Sequence, residues 1–158
     1  MPILVRHNEG LELTRVDFFG KVLPEHVRGY GAYGMANPHW TEFDTITFVA
    51  DDTDVRAIKL ADVDGFFDAF GPVLRAADKM VRRRSGWVCD NATFKRGLAL
   101  WLAKRNAACE RDGEVRLFAN GEAASEWLLL SPEKAAALVS GKDFTELARF
   151  DSASDTVR

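Results

Sequence analysis

Cysteine is scarce in this chain of 158 residues: Cys89 and Cys109 are its two cysteines, and they form no C-x-x-C pair. A disulfide framework is therefore not expected, and both read as small buried hydrophobes. Long apolar runs are missing too. No stretch approaches the roughly 18 uninterrupted apolar residues of a membrane-spanning helix. The start Met1-Pro2-Ile3-Leu4-Val5-Arg6-His7 places no basic region before a long apolar one, so a cytoplasmic protein without membrane contact is expected. Charge of one sign is not in excess: 21 basic against 24 acidic residues give a net charge of -3, too little to create a field that draws nucleic acid. Catalytic signatures are absent as well. There is no G-x-S-x-G, and His7, His26 and His39 are widely separated, without the H-E-x-x-H spacing of a zinc site. The expectation is a protein with no cofactor and no metal that binds rather than catalyses.

What is present is an ordinary globular composition, 47% hydrophobic and 28% charged, at a length close to the roughly 150 residues of one domain. Residues 3–7 and 11–19 are β-compatible runs on either side of Asn8-Glu9-Gly10, whose Asn and Gly suit the positive φ angles of a tight turn, so an opening hairpin is expected. Gly20-Lys21 breaks the second strand. Pro24 then suits the first turn of a helix over 24–35, because its missing N–H has no intrahelical partner there. Thr45-Ile46-Thr47-Phe48-Val49-Ala50 is β-branched and apolar, as a buried strand requires. Asp62 caps a helix whose Val63, Phe66, Phe67, Phe70, Val73 and Leu74 follow helical spacing, with Gly71-Pro72 expected to kink or divide it.

A strand over 84–89 and a helix capped by Asp90 or Asn91 follow, the helix bearing Phe94, Leu98, Trp101 and Leu102. A strand over 115–119 and a helix over about 121–130 complete the alternation. Alternating strands and helices imply crossover connections: an α/β fold with a mixed, mostly parallel sheet, the N-terminal hairpin as its antiparallel edge, and about four covering helices. Beyond this, 134–139 and 144–150 read as a helical extension and 151–158 as a loose tail. The expected organisation is an α/β domain over 1–130 and an appendage over 131–158.

The closing elements carry a family resemblance. Val115-Arg116-Leu117-Phe118 followed by Glu122-Ala123-Ala124-Ser125-Glu126-Trp127-Leu128 is similar to the V-R-x-F strand and E-A-x-x-W-L helix that end the SpoIIAA-like branch of the STAS superfamily, small bacterial α/β domains first known as anti-sigma-factor antagonists. Residues 16–21 resemble the second strand of these proteins, which ends in a glycine. The resemblance spans 3–130 and implies their fold and a regulatory role, exercised by recognising a protein partner or a small ligand. Phosphoswitch members carry D-S-S-G at a helix start, with a serine as phosphoacceptor. The corresponding stretch here is Asp62-Val63-Asp64-Gly65, with Val63 and Asp64 in the serine positions. On that register the switch is absent or locked in an acidic form. The other reading is local: Asp62 caps the helix, and Asp64 is favoured in its first turn by the helix dipole.

The first candidate surface is therefore Asp62, Asp64 and Gly65, extended to the acidic strand end at Asp51 and Asp52. Loops beyond the carboxyl ends of strands collect ligands in open α/β sheets, which adds Asp90, Asn91 and Asn120. Asp51, Asp52 and Asp54 lack the Gly and distal Glu of a calcium loop and read as turn residues. Lys79, Arg82, Arg83 and Arg84 form a basic cluster whose guanidinium groups suit phosphate or carboxylate, the other reading being a solvated edge or ion-pair partners for acidic residues of the chain. Gly29-x-Gly31-x-x-Gly34 matches the dinucleotide fingerprint, but a helix begins before it, so close helix packing or flexibility beside Tyr30, Tyr33 and Trp40 is the expected role. The alternative from another class is a pocket for a small anion or hydrophobic acid, lined by Tyr30, Tyr33, Trp40 and Trp87 with Arg84 as anion anchor. Self-association into a homodimer through the 134–150 extension is a third possibility.

Overall fold

The computed structural model of the chain describes residues 2–80, 84–108 and 114–151. Strands β1 (Ile3–Asn8) and β2 (Leu13–Phe18) form the expected hairpin, in register from Ile3 opposite Phe18 to Asn8 opposite Leu13. Its turn works differently from the expectation. The Asn8 Oδ1 accepts the Leu11 N–H at 3.0 Å, and the positive φ falls on Glu12 at 50°, not on Asn8 or Gly10.

From β2 the sheet extends in parallel through β3 (Asp44–Val49), β4 (Arg84–Val88) and β5 (Glu114–Phe118). The crossovers are α1 (Pro24–Ala36) with a 3-10 turn (Pro38–Glu42), then α2 (Leu60–Met80), then α3 (Ala92–Ala108). After β5 come α4 (Gly121–Trp127), α5 (Pro132–Ser140) and β6 (Thr145–Phe150). The fold is thus α/β, with a mixed six-stranded sheet in the order β5-β4-β3-β2-β1-β6 and five α-helices among the described residues. None of those helices is long and apolar enough to cross a membrane.

The expected helix over 144–150 is instead β6, which pairs antiparallel with β1. Glu146, Leu147, Ala148 and Arg149 are good helix formers, but the free edge of β1 offers a ladder of backbone partners, and that tertiary pairing overrides local propensity. Residues 132–150 therefore add a helix and an edge strand to the same sheet. Arg82, Arg83, Cys109 and the tail beyond Asp151 lie outside the described residues.

Strand alternation sorts the side chains onto two covered faces. On one, Ile3, Val5, Val16, Phe18, Val49 and Trp87 meet Val27 and Tyr30 of α1 and Phe94, Leu98 and Trp101 of α3. On the other, Leu13, Ile46 and Val88 meet Ala124, Leu128 and Leu138 from α4, its C-cap and α5. With both faces covered, all six residues of β2 are buried, which is why its sequence lacks a clean alternation of apolar and polar residues.

Helix α2 starts at Leu60, so Asp62 stands in the first turn rather than at the cap, and its Oδ2 accepts the Lys59 N–H at 2.8 Å. It runs unbroken through Gly71-Pro72, although Pro72 has no N–H to offer the Asp68 carbonyl. The cap of α3 is Asn91, whose Oδ1 accepts the N–H groups of Thr93 and Phe94, both at 3.0 Å.

Candidate functional site

Helix α2 packs on α1, on α3 and on the 3-10 turn, and a cavity of about 340 Å³ lies between it and the sheet. The floor is built by period-two alternation. Thr14 of β2 stands opposite Thr45 of β3, which stands opposite Ser85 of β4; the next row on that face holds Val16, Thr47 and Trp87. Tyr30 and Tyr33 of α1 and Trp40 of the 3-10 turn form one wall, Phe94, Leu98 and Trp101 of α3 the other, and Val63, Phe66 and Phe70 of α2 the roof. Met35, Leu60 and Leu100 also line the cavity yet are 45%, 50% and 44% exposed, so it opens to the surface past apolar side chains.

Glycine at position 31 sets how closely the roof approaches α1. A Cβ there would stand 2.6 Å from Phe70 Cε2 and 2.8 Å from Phe66 Cε2. Of the three glycines in the fingerprint-like run, Gly29 likewise faces Phe150 closely, whereas a Cβ on Gly34 would meet nothing within 4 Å. All three lie within α1, not at the strand-to-helix turn that binds a pyrophosphate.

Polar groups around the cavity are few and placed. Trp87 is buried, its ring stacked on Phe18 at 5.8 Å and edge-on to Trp101 at 5.5 Å. Among the described residues, its indole N–H has no hydrogen-bond partner. Tyr33 hydrogen-bonds Trp40, and burial pushes its phenol above the usual value. Behind Thr14 stands His7, its Nδ1 3.1 Å from Thr14 Oγ1 and its ring against Trp40 and Phe43. Burial holds the His7 imidazole below its ordinary pKa, so it is neutral near pH 7. Cys89 is buried and its thiol is pushed up by burial, the setting of an inert rather than a nucleophilic cysteine.

The residues singled out in the sequence fall into three places. Asp51, Asp52, Asp90 and Asn91 gather at the carboxyl ends of β3 and β4, where Asn91 Nδ2 donates to the carbonyls of Asp51 at 3.4 Å and Thr53 at 3.3 Å. Asp52 Oδ1 accepts the Gly20 N–H at 3.3 Å, and Asp90 faces Lys95 at 3.5 Å. These contacts tie loops together. Among the described residues, no group of three or more His, Cys, Asp or Glu is arranged to hold a metal ion. Asn120 caps α4, accepting the Ala123 N–H at 2.9 Å. Asp62, Asp64 and Gly65 lie on α2, with Asp64 paired to Lys104 of α3 at 2.8 Å.

Tyr30, Tyr33, Trp40 and Trp87 do line one cavity, but Arg84 does not join them. Ser85 and Trp87 point into the cavity, so Arg84, one residue out of phase, points to the opposite face. There it forks onto Asp44, with Nε at 2.9 Å and Nη2 at 2.7 Å from Oδ2, and its guanidinium lies 5.6 Å from the Trp127 ring centroid. The sequence reading missed the hydroxyl floor of Thr14, Thr45, Thr47 and Ser85; the alternation of Thr45 and Thr47 with Ile46 and Phe48 was the signal that could have found it. Compared with known proteins, the chain matches no protein-family model, no curated protein and no solved structure.

Proposed function

We propose that this protein binds a small, largely apolar organic ligand in the cavity beneath α2. The observation that carries the reading is the cavity itself: about 340 Å³ of space walled by aromatic side chains, within the range of small-molecule sites. A void of this size left empty forfeits the dispersion contacts that a filled core would make, and an occupant restores them. The exposed apolar rim of Met35, Leu60 and Leu100 offers such a molecule a route in. Binding without covalent chemistry fits the inert setting of Cys89.

Kinship with the SpoIIAA-like branch of the STAS superfamily, with a role in regulation, is our proposal for the fold's descent. It is supported by Val115 to Phe118 lying in β5 and by α4 following directly. Recognition of a partner through Asp62 and Asp64 has less support, because the first carboxylate already serves the Lys59 N–H and the second already pairs with Lys104.

Thermal unfolding in the presence of a panel of neutral aromatic and aliphatic compounds tests the binding reading, since a ligand that binds only the folded state raises the midpoint. Gly34→Leu is the matched control: the position lines the cavity, and a Cβ there has no neighbour within 4 Å, so the larger side chain can occupy ligand space. Wild-type midpoints that rise with ligand, and a variant that folds yet does not respond, are expected. A panel that moves neither protein overturns the proposal.

A further inference from the structure

Trp87 is only 9% exposed, lines the cavity, and among the described residues has an indole N–H without a partner. A buried donor left unpaired is costly, so native proteins rarely keep one without a reason. Resting on the reading of the cavity as a ligand site, we infer that its ligand is an uncharged aromatic molecule of about two fused rings whose carbonyl or similar acceptor oxygen takes the Trp87 N–H, the side chains packed on the indole shifting to admit it, because the nitrogen itself exposes less than 1 Å². Size sets the ring count. A cavity of roughly 150 Å³ holds one benzene, and this one is about 340 Å³. The walls set the ring type, because Phe18, Phe94 and Trp101 already surround the indole at 5.8, 6.0 and 5.5 Å, the offset and edge-on spacings that a further aromatic ring extends.

Charge is decided by what lines the space. Among the described residues its cations are Arg28 and Lys59, both exposed, with Arg28 Nη1 3.9 Å from the Asp62 carboxylate at the same rim. A carboxylate carried down to Trp87 would leave water without gaining a buried cation, at a large desolvation cost. A cationic ligand would set its charge beside the positive end of the indole N–H. A neutral acceptor meets neither penalty.

Three probes of nearly equal size separate the possibilities: 2-acetylnaphthalene, which carries a neutral acceptor; 2-ethylnaphthalene, which lacks one; and 2-naphthoate, which is charged. Titration of the full chain by calorimetry is expected to show 2-acetylnaphthalene bound roughly tenfold more tightly than 2-ethylnaphthalene, the scale of one hydrogen bond, and 2-naphthoate bound more weakly than either. In proton–nitrogen correlation spectra, the assigned Trp87 indole resonance is expected to move downfield with the ketone and not with the hydrocarbon. Trp87→Phe keeps an aromatic wall without the donor, and there the preference for the ketone should vanish. If ketone and hydrocarbon bind wild type equally, the acceptor inference fails while the cavity reading stands. Preferred binding of 2-naphthoate overturns the neutral class, and binding of none of the three overturns the inference of a two-ring aromatic, while the cavity reading stands or falls with the wider compound panel. Where Trp87→Phe does not fold, the wild-type indole shift and the wild-type affinities still decide.

Discussion

Arg15 and Asp17 stand two residues apart on β2 and face the same side of the sheet, where Nη2 of the arginine lies 2.7 Å from Oδ1 of the aspartate. Both are buried, and the same carboxylate accepts Arg6 Nη2 at 2.8 Å. Two guanidinium groups on one carboxylate leave an excess of positive charge, which the end of α5 offsets: Arg15 Nη1 donates to the carbonyls of Leu138 and Val139, where the helix dipole is negative. The guanidinium also covers the Phe48 ring, 4.1 Å from its centroid. Asp17→Ala strands both arginines against this buried face, and a loss of about 3–5 kcal/mol is expected in denaturant unfolding. A loss below about 1 kcal/mol would place the pair with ordinary surface ion pairs instead.

The two glycines Gly31 and Gly34 should respond in opposite directions to the same change. Alanine at 34 meets open space and gains helix propensity, so Gly34→Ala is expected to stabilise by roughly 0.5–1 kcal/mol. Alanine at 31 drives its Cβ into the Phe66 and Phe70 rings, and the roof helix must shift; overpacking of this kind costs about 1–3 kcal/mol, more than the propensity gain. Thermal unfolding of the two variants checks this. Equal shifts of one sign would mean that α2 gives way freely at Gly31.

Stability should fall on mild acidification. Burial lowers the pKa of both His7 and His26 from 6.5, and His26 Nδ1 must be unprotonated to accept the Leu23 N–H at 2.9 Å that closes the first turn of α1. A depressed folded-state value means that the unfolded chain takes up the proton first. The stabilisation is therefore complete above the unfolded pKa and is lost as pH drops below about 6.5, with a slope of at most about 1.4 kcal/mol per pH unit for each histidine. Denaturant unfolding at a series of pH values from neutral to mildly acidic reads the slope. His26→Asn sets an amide oxygen where Nδ1 was, keeps the acceptor and removes one titration, so a shallower slope is expected; an unchanged slope would remove His26 from the account.

Local chemistry made much of this fold legible, and long-range pairing hid the rest. Pro24 at a helix start, Asn91 as a cap and the β-branched run over 45–49 each declare themselves through backbone requirements that a few neighbours decide. Thr145 to Phe150 does not, since Glu146, Leu147, Ala148 and Arg149 suit a helix and only the vacant edge of β1, far away in sequence, makes a strand of them. Arg15 and Asp17 break the alternation expected of a half-buried strand, and what offsets their burial comes from α5, far away in sequence. For the site, gathering Tyr30, Tyr33, Trp40 and Trp87 into one pocket was within reach of the sequence. Arg84 and Trp87 are three positions apart on β4, and strand alternation sends residues at that spacing to opposite faces. The gap beneath α2 depends on how far Phe66 and Phe70 hold that helix from the sheet, and no local pattern encodes such a distance.

A chain that stops at Leu130 is expected not to fold cooperatively. The cut removes β6, leaving β1 as an unpaired edge along the register from Ile3 to His7. It also removes Leu138, which is fully buried against the α4 face, at a cost of the order of 2–5 kcal/mol for the loss of one such side chain. Most costly, it takes away the Leu138 and Val139 carbonyls that receive Arg15, so Nη1 of this guanidinium loses its acceptors and Arg6 shares the Asp17 carboxylate that remains. Single domains have only about 5–15 kcal/mol of stability to lose. Circular dichroism through a thermal ramp checks the outcome: the absence of a sigmoidal transition is expected for residues 1–130, and a cooperative transition near that of the full chain would show that 132–150 only decorate a sheet complete without them.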